Sequence, residues 1–159
     1  MKAWVFSDNI DTDVIAPGRY MKSDIGVIAS HCLETVDADF AKQVKPGDFV
    51  VAGRNFGTGS SREQAPEALK RLGVAALVAE SFAGLFYRNA LNLGLPAVEC
   101  RDAKKIRQGD LIAVDFERGK ITLLDKHLSF DCDPIPAHLM QMVRDGGLLP
   151  HLEKRLKSR

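Results

Sequence analysis

Cysteine is scarce in this chain of 159 residues, which contains only Cys32, Cys100 and Cys132. Their odd number and wide spacing match neither a disulfide framework nor a zinc-binding pattern. Proteins without these patterns are typical of reducing compartments. We therefore expect a cytoplasmic protein that does not depend on disulfide bonds.

An excess of either charge is also missing, as are long apolar runs. Lys plus Arg number 22 and Asp plus Glu number 21, for a formal charge of +1. Nucleic-acid binders usually carry a clear basic excess, and a membrane span needs about 20 consecutive apolar residues. The first eight residues contain no apolar signal segment. We expect neither a nucleic acid nor a membrane as partner, and a single domain over residues 1–159.

Short apolar runs between turn signals predict an α/β fold. Strands are predicted at 2–6, 49–52, 74–78 and 95–98. Helices at 60–72 and 82–93 separate the last three strands and make a βαβαβ unit, in which strands run parallel. The remaining segments predict a turn-rich stretch at 7–13, a weak helix at 28–34, a β meander at 111–116, 120–124 and 128–131, a helix at 133–145, and a solvated or frayed tail at 151–159.

One segment, residues 55–63, has the composition of a ligand-binding loop. It lies between the end of a predicted parallel strand and the start of a helix, where open α/β sheets bind ligands. Ser60 and Glu63 form a capping-box pattern, and Arg62 offers a planar fork that suits a carboxylate or phosphate. Two interpretations stay open at this point: the segment only caps the helix, or it binds an anion at the helix N-terminus.

Two known phosphate-binding motifs can be compared with this segment. A phosphate-binding P-loop requires a lysine after its second glycine, and none follows Gly59. The dinucleotide-binding pattern fits Gly57 and Gly59 but requires glycine where Arg62 stands. Neither a P-loop nor a dinucleotide site is therefore well supported. A stand-alone nucleotide- or anion-binding module stays open as a function of a different class.

The string Gly57-Thr58-Gly59-Ser60-Ser61-Arg62-Glu63-Gln64-Ala65-Pro66 closely resembles the G-x-G-S-S-R-E-H-A motif of the aconitase superfamily. Residues 8–20 and 81–96 extend the resemblance, which is closest to the separate small subunits of 3-isopropylmalate dehydratase and homoaconitase enzymes. It implies a swivelling β/β/α domain that is inactive alone. It also implies a larger partner subunit, in a heterodimer or heterotetramer, whose 4Fe–4S cluster binds the substrate. The three dispersed cysteines lack the grouping that such a cluster needs, so we expect no cofactor on this chain.

The resemblance also implies roles for individual residues. Ser60 matches the base that removes the proton next to a substrate carboxylate, and Ser61 and Arg62 match residues that bind substrate carboxylates. Gln64 stands where relatives often carry His, and Thr58 where they often carry Cys or an acid. Both differences bear on the hydrogen bonding around the serines.

The segment 19–24 resembles the family's variable specificity loop, with Tyr20, Met21, Lys22 and Ser23 at its centre. Lys22 is expected either to pair with an additional substrate carboxylate or to be a solvated surface lysine. The resemblance thus implies a hydro-lyase that isomerises a small 2-hydroxy dicarboxylic acid. 3-Isopropylmalate, used in leucine biosynthesis, is the first choice of substrate, and homoaconitate or a methylated malate is the alternative suggested by Lys22.

Overall fold

The computed structural model describes residues 1–159 and contains two β-sheets. The first sheet is parallel throughout, with strand order β1-β2-β3-β4. Its strands are β1 (Ala3–Val5), β2 (Phe49–Ala52), β3 (Ala76–Ala79) and β4 (Ala97–Glu99). The predicted α/β class and the parallel βαβαβ unit are confirmed, and β1 joins the same sheet.

The second sheet is an antiparallel meander with the order β5-β6-β7. Its strands are β5 (Ile112–Asp115), β6 (Lys120–Leu123) and β7 (Leu128–Asp131). It is attached to the parallel sheet through β1, where the Ala3 amide donates to the Asp110 carbonyl at 2.8 Å. The predicted meander is therefore also confirmed.

The helices are mostly short. They are α1 (Thr12–Ile15), α2 (Ile25–Ser30), α3 (Phe40–Gln43), α4 (Gln64–Arg71), α5 (Gly84–Asn92), α6 (Ala137–Arg144) and α7 (Leu148–Lys157), with 3-10 turns at Gly18–Tyr20 and Ala103–Lys105. None of them is both long enough and apolar enough to cross a lipid bilayer.

Two apolar clusters cover the two faces of the parallel sheet. Because side chains alternate along a strand, Val50 and Leu77 face one cluster with α1 to α5, while Val51 and Val78 face the other. The second cluster also contains side chains of α6 and of the meander. Every residue of β2 and β3 is buried, which explains why these strands are apolar without alternation.

Several expectations about where helices begin are wrong. Helix α4 begins at Gln64, and Glu63 at its N-cap position makes no side-chain capping bond, so the capping box does not form. The stretch 7–13 contains the start of α1, which Asp11 caps by accepting from the Val14 amide at 2.8 Å. The weak helix starts earlier than expected, at Ile25, because Asp24 caps it.

The C-terminal segment is a helix, α7, and not a frayed tail. No residue of α7 is buried, so solvation was the correct part of that expectation. Two side chains of the helix bind Asp145 at the end of α6: His151 Nδ1 at 2.7 Å and Lys154 Nζ at 3.0 Å. These contacts attach the helix to the protein, and they hold the pKa of Asp145 at about 2, the His151 hydrogen bond being the largest cause.

Candidate active site

The segments that follow β1, β2 and β3 lie side by side at the carboxyl edge of the parallel sheet. The Gly57 amide donates to the Ile10 carbonyl at 2.8 Å, and the Thr12 amide donates to the Thr58 carbonyl at 2.9 Å. On the other side, the Phe56 amide donates to the Ser81 carbonyl at 3.1 Å. The three sequence segments that carry the family resemblance are therefore neighbours in the folded chain.

Residues 57–62, here called the serine loop, lie against an aromatic cluster. Gly57 has a positive φ of 84°, and a Cβ at this position would lie 2.1 Å from Cγ of Phe86. Phe86 packs edge-on against Phe56 with ring centroids 5.3 Å apart. Only glycine fits this backbone position, and the close packing fixes the start of the loop.

The hydroxyl of Ser60 lies beside that of Thr12. Their oxygens are 3.1 Å apart, and Thr12 is only 2% exposed, whereas Ser60 is exposed. The backbone N–H groups of residues 60–64 have no acceptor within the chain. The serine loop therefore presents a hydroxyl and several free donors to the outside, just before the positive end of helix α4.

The guanidinium of Arg62 is held in place from one side. Its Nη1 donates to Asp13 Oδ1 at 3.0 Å and to the Ala16 carbonyl at 2.8 Å. The hydrogen bond from Arg62 is the largest cause that lowers the pKa of the Asp13 carboxyl, and a second one comes from the Gly18 amide. No acceptor in the chain engages the rest of the guanidinium, so it is available for an anionic ligand. The sequence did not reveal Asp13 as the residue that holds Arg62.

The predicted specificity segment begins next to this arginine. The Gly18 amide binds the same Asp13 oxygen that accepts from Arg62. Further along, Tyr20 stacks on His31 with ring centroids 3.8 Å apart. Lys22 is exposed and forms neither an ion pair nor a hydrogen bond within the chain. The structure thus links Ser60, Arg62 and the start of the segment through α1, while Ser61 and Lys22 lie exposed without partners in the chain.

The residues of this chain do not fit an iron–sulfur cluster. No group of three or more His, Cys, Asp or Glu side chains is arranged to hold a metal ion. All three cysteines are buried, and burial raises their pKa values, to about 11 for Cys132. Metal ligation requires thiolates, which such burial disfavours.

A surface cleft of about 650 Å³ is lined mainly by residues that follow β2, β3 and β4 and does not include the serine loop. Ser81 in its lining accepts from the Asn55 amide at 2.9 Å, two residues before the serine loop begins. Three charged side chains of the cleft form ion pairs with one another: Glu80 lies 3.8 Å from Arg54 and 3.6 Å from Lys104. Chemistry at Ser60 needs shielding from water, and the exposed loop has no cover of its own.

Comparison with known proteins identifies relatives along nearly the whole chain. The aconitase C-terminal domain family matches residues 7–103. The 3-isopropylmalate dehydratase small subunit of Halothermothrix orenii is 49% identical over 154 residues, which cover 96% of this chain and 93% of that protein. Small subunit 1 of the Thermotoga maritima enzyme is 44% identical over 155 residues, with 96% and 93% covered. The crystal structure of 3-isopropylmalate dehydratase (LeuD) from Methanocaldococcus jannaschii matches with a TM-score of 0.91 and 41% identity, covering 97% of this chain and 92% of that one.

Proposed function

The chain belongs to the aconitase C-terminal domain family, and from this membership we propose that it is the small subunit of a 3-isopropylmalate dehydratase, acting in leucine biosynthesis. The observation that carries the proposal is the likeness to such subunits from end to end. It extends beyond residues 7–103 into the meander and α6. The reaction is a dehydration and rehydration that moves a hydroxyl group to the neighbouring carbon.

In the proposed mechanism Ser60 is the base. Its alkoxide takes the proton from the carbon next to a substrate carboxylate, and the C–H electron pair forms the alkene as the C–O bond on the neighbouring carbon breaks and releases hydroxide. In rehydration, hydroxide adds to the carbon that lost the proton, and the Ser60 hydroxyl returns the proton to the other carbon. A serine hydroxyl is a poor base at neutral pH and needs an environment that stabilises the alkoxide. The Thr12 hydroxyl at 3.1 Å, the free N–H groups of residues 60–64 and the charge of Arg62 supply that environment.

Arg62 and Ser61 have the roles of carboxylate binders in this proposal. The guanidinium is pre-oriented by its bonds to Asp13 and Ala16. A bidentate arginine–carboxylate pair is favoured when the fork is already in position. Ser61, next to the base and exposed, adds a hydroxyl donor to the same carboxylate.

The remaining half of the site belongs, in this proposal, to a large subunit. The names of the relatives imply such a partner, and the open serine loop is a surface that a second chain would have to cover. We propose that this partner carries a 4Fe–4S cluster, whose iron supplies Lewis-acid binding of the substrate's hydroxyl and carboxylate. Heterodimer and heterotetramer are both compatible with the proposal.

Reconstitution tests the function directly. The purified chain alone is expected to show no turnover, whereas the chain expressed with a large subunit of the family should convert 3-isopropylmalate to its alkene and isomer. The measurement is anaerobic product analysis by chromatography. Turnover by the isolated chain, or none by the loaded complex, contradicts the proposal. Saturable NAD binding by the isolated chain would instead support the nucleotide-binding alternative.

A second substrate is favoured by the unpaired side chain of Lys22. The exposed ammonium, free of partners in the chain, suits an acid with one more carboxylate, such as homoaconitate. If such an acid is turned over, Lys22→Leu should lower its kcat/KM about two- to fivefold relative to that of 3-isopropylmalate, the size expected for an exposed ion pair. The ratio of the two kcat/KM values is the measurement, with Lys42→Leu on α3 as the control. An unchanged ratio contradicts this role of Lys22.

A further inference from the structure

Four side chains form a closed set of contacts around Tyr20, here called the Tyr20 clamp. The Tyr20 ring stacks on the ring of His31 at 3.8 Å with an interplanar angle of 6°. His31 Nδ1 lies 2.7 Å from Glu34 Oε2, and the other oxygen of Glu34 accepts from Arg19. The Arg19 guanidinium lies over the Tyr20 ring, 4.8 Å from its centroid. Each member of the clamp therefore contacts two others.

The clamp is anchored by the hydrophobic core on the side of His31 and Glu34. These residues flank Leu33, which is fully buried and whose amide donates to the Ile15 carbonyl at 3.3 Å. Bonding from His31 first, and then from Arg19, lowers the pKa of the Glu34 carboxyl. At neutral pH the carboxylate is therefore charged and holds both neighbours.

The other side of the clamp is the exposed specificity segment. Beyond Tyr20, the Ser23 amide donates to the Tyr20 carbonyl at 2.9 Å, so the direction of the intervening Met21 and Lys22 depends on where Tyr20 is held. The exposed ion pair of the clamp contributes little to the stability of the whole protein. Its effect is on the segment, because a loop already held in its binding conformation loses less entropy when a ligand binds.

We propose that His31 and Glu34 are positioning residues, which fix Tyr20 and thereby orient Met21 and Lys22 toward the substrate. The inference rests on the proposed function. Neither residue touches the reacting atoms, so their removal should weaken substrate binding and selection while leaving the chemical step intact.

The first test uses the reconstituted complex and the variant His31→Ala. KM for 3-isopropylmalate is expected to rise about three- to tenfold, the range that loss of an aromatic pair implies, while kcat stays within about twofold of the wild type. His31→Phe retains the stacking and should recover most of the loss. His138→Ala on α6, a distant exposed histidine, is the matched control and should have no effect. A lower kcat with unchanged KM overturns the inference.

The second test uses the full-length chain without its partner and needs no activity. Trypsin should cleave after Lys22 faster in His31→Ala and in Glu34→Gln than in the wild type. Without the clamp contacts, the segment 19–24 unfolds locally more often and can enter the protease active site. Control cleavage at the other lysines should be unchanged. Equal cleavage after Lys22 in all variants overturns the inference. If the wild-type complex shows no turnover, the proposed function fails while this second test still decides the clamp.

Discussion

Ser60→Ala is expected to lower kcat of the reconstituted complex by about 10²- to 10⁴-fold, the range that general bases contribute, and to change KM by no more than a few-fold. The physical reason is that the substitution removes the proposed base and leaves the binding groups in place. Steady-state kinetics in both reaction directions provides the measurement. Both directions should lose the same factor, because one base serves proton removal and, as the conjugate acid, proton return.

The geometry around Ser60 explains why binding should survive. Arg62 is held by Asp13 and Ala16 and forms no hydrogen bond with the Ser60 hydroxyl, so its position does not depend on Ser60. The start of the loop is fixed by Gly57 on Phe86. Ser60 itself is exposed, so its truncation to alanine creates no cavity in the core, and the variant is expected to fold and assemble.

Ser61→Ala is the matched control, since it removes the same group one residue away. As a proposed carboxylate binder, Ser61 should affect mainly KM when truncated. If Ser60→Ala retains kcat within a few-fold of wild type, or if the two variants show the same profile, the assignment of Ser60 as the base is incorrect.

Most of the framework follows from local sequence patterns. The strands at 49–52 and in the meander can be predicted locally, because turn signals on both sides limit the length of each strand to a few residues. Helix α4 ends at Arg71, within one residue of the predicted end at 72, and is followed by Gly73 at a φ of 88°, which suits the left-handed C-cap position. Local chemistry decides such features, so a single sequence is sufficient to predict them.

The serine loop is where local patterns gave the wrong structure. Ser60 and Glu63 have the spacing of a capping box, yet the hydroxyl of Ser60 binds Thr12, 48 residues away in sequence. Pairing of the Thr12 amide with the Thr58 carbonyl brings these two segments together. Such contacts depend on the order of strands in the sheet, which local spacing does not encode.

The same limit explains which partners were missed. The motif identifies Arg62, but the sequence indicates only a turn-rich stretch around Asp13. Its contact with Arg62 again crosses from the β1 segment to the β2 segment. His31 and Glu34 carried no motif at all, and only their contacts with Tyr20 and Arg19 indicate a role. Leu148, Leu152 and Leu156 have helical spacing, so the sequence does contain a signal for α7. The expectation of a frayed tail rests on its alternating charges, which do not reveal the polar contacts with Asp145.

Arg62→Lys is expected to reduce kcat/KM of the complex about 10- to 150-fold, which corresponds to the loss of one hydrogen bond to a charged group, about 1.5–3 kcal/mol. Lysine retains the charge but not the fork. The arginine uses Nη1 for Asp13 and Ala16 and, in our proposal, its remaining donors for the substrate. A single ammonium on a flexible stem cannot hold both partners in this geometry, so either the anchor or the substrate contact is lost.

Steady-state kinetics of the assembled complex again provides the measurement, with Arg155→Lys on the exposed face of α7 as the control. Most of the loss should appear in KM, because the carboxylate is bound in the ground state as well as in the transition state. A contribution to kcat is also expected, since the Arg62 charge stabilises the Ser60 alkoxide. If Arg62→Lys matches the control in kcat/KM, the guanidinium does not bind the substrate carboxylate, and the anion that the serine loop recognises must be held by its N–H groups and hydroxyls alone.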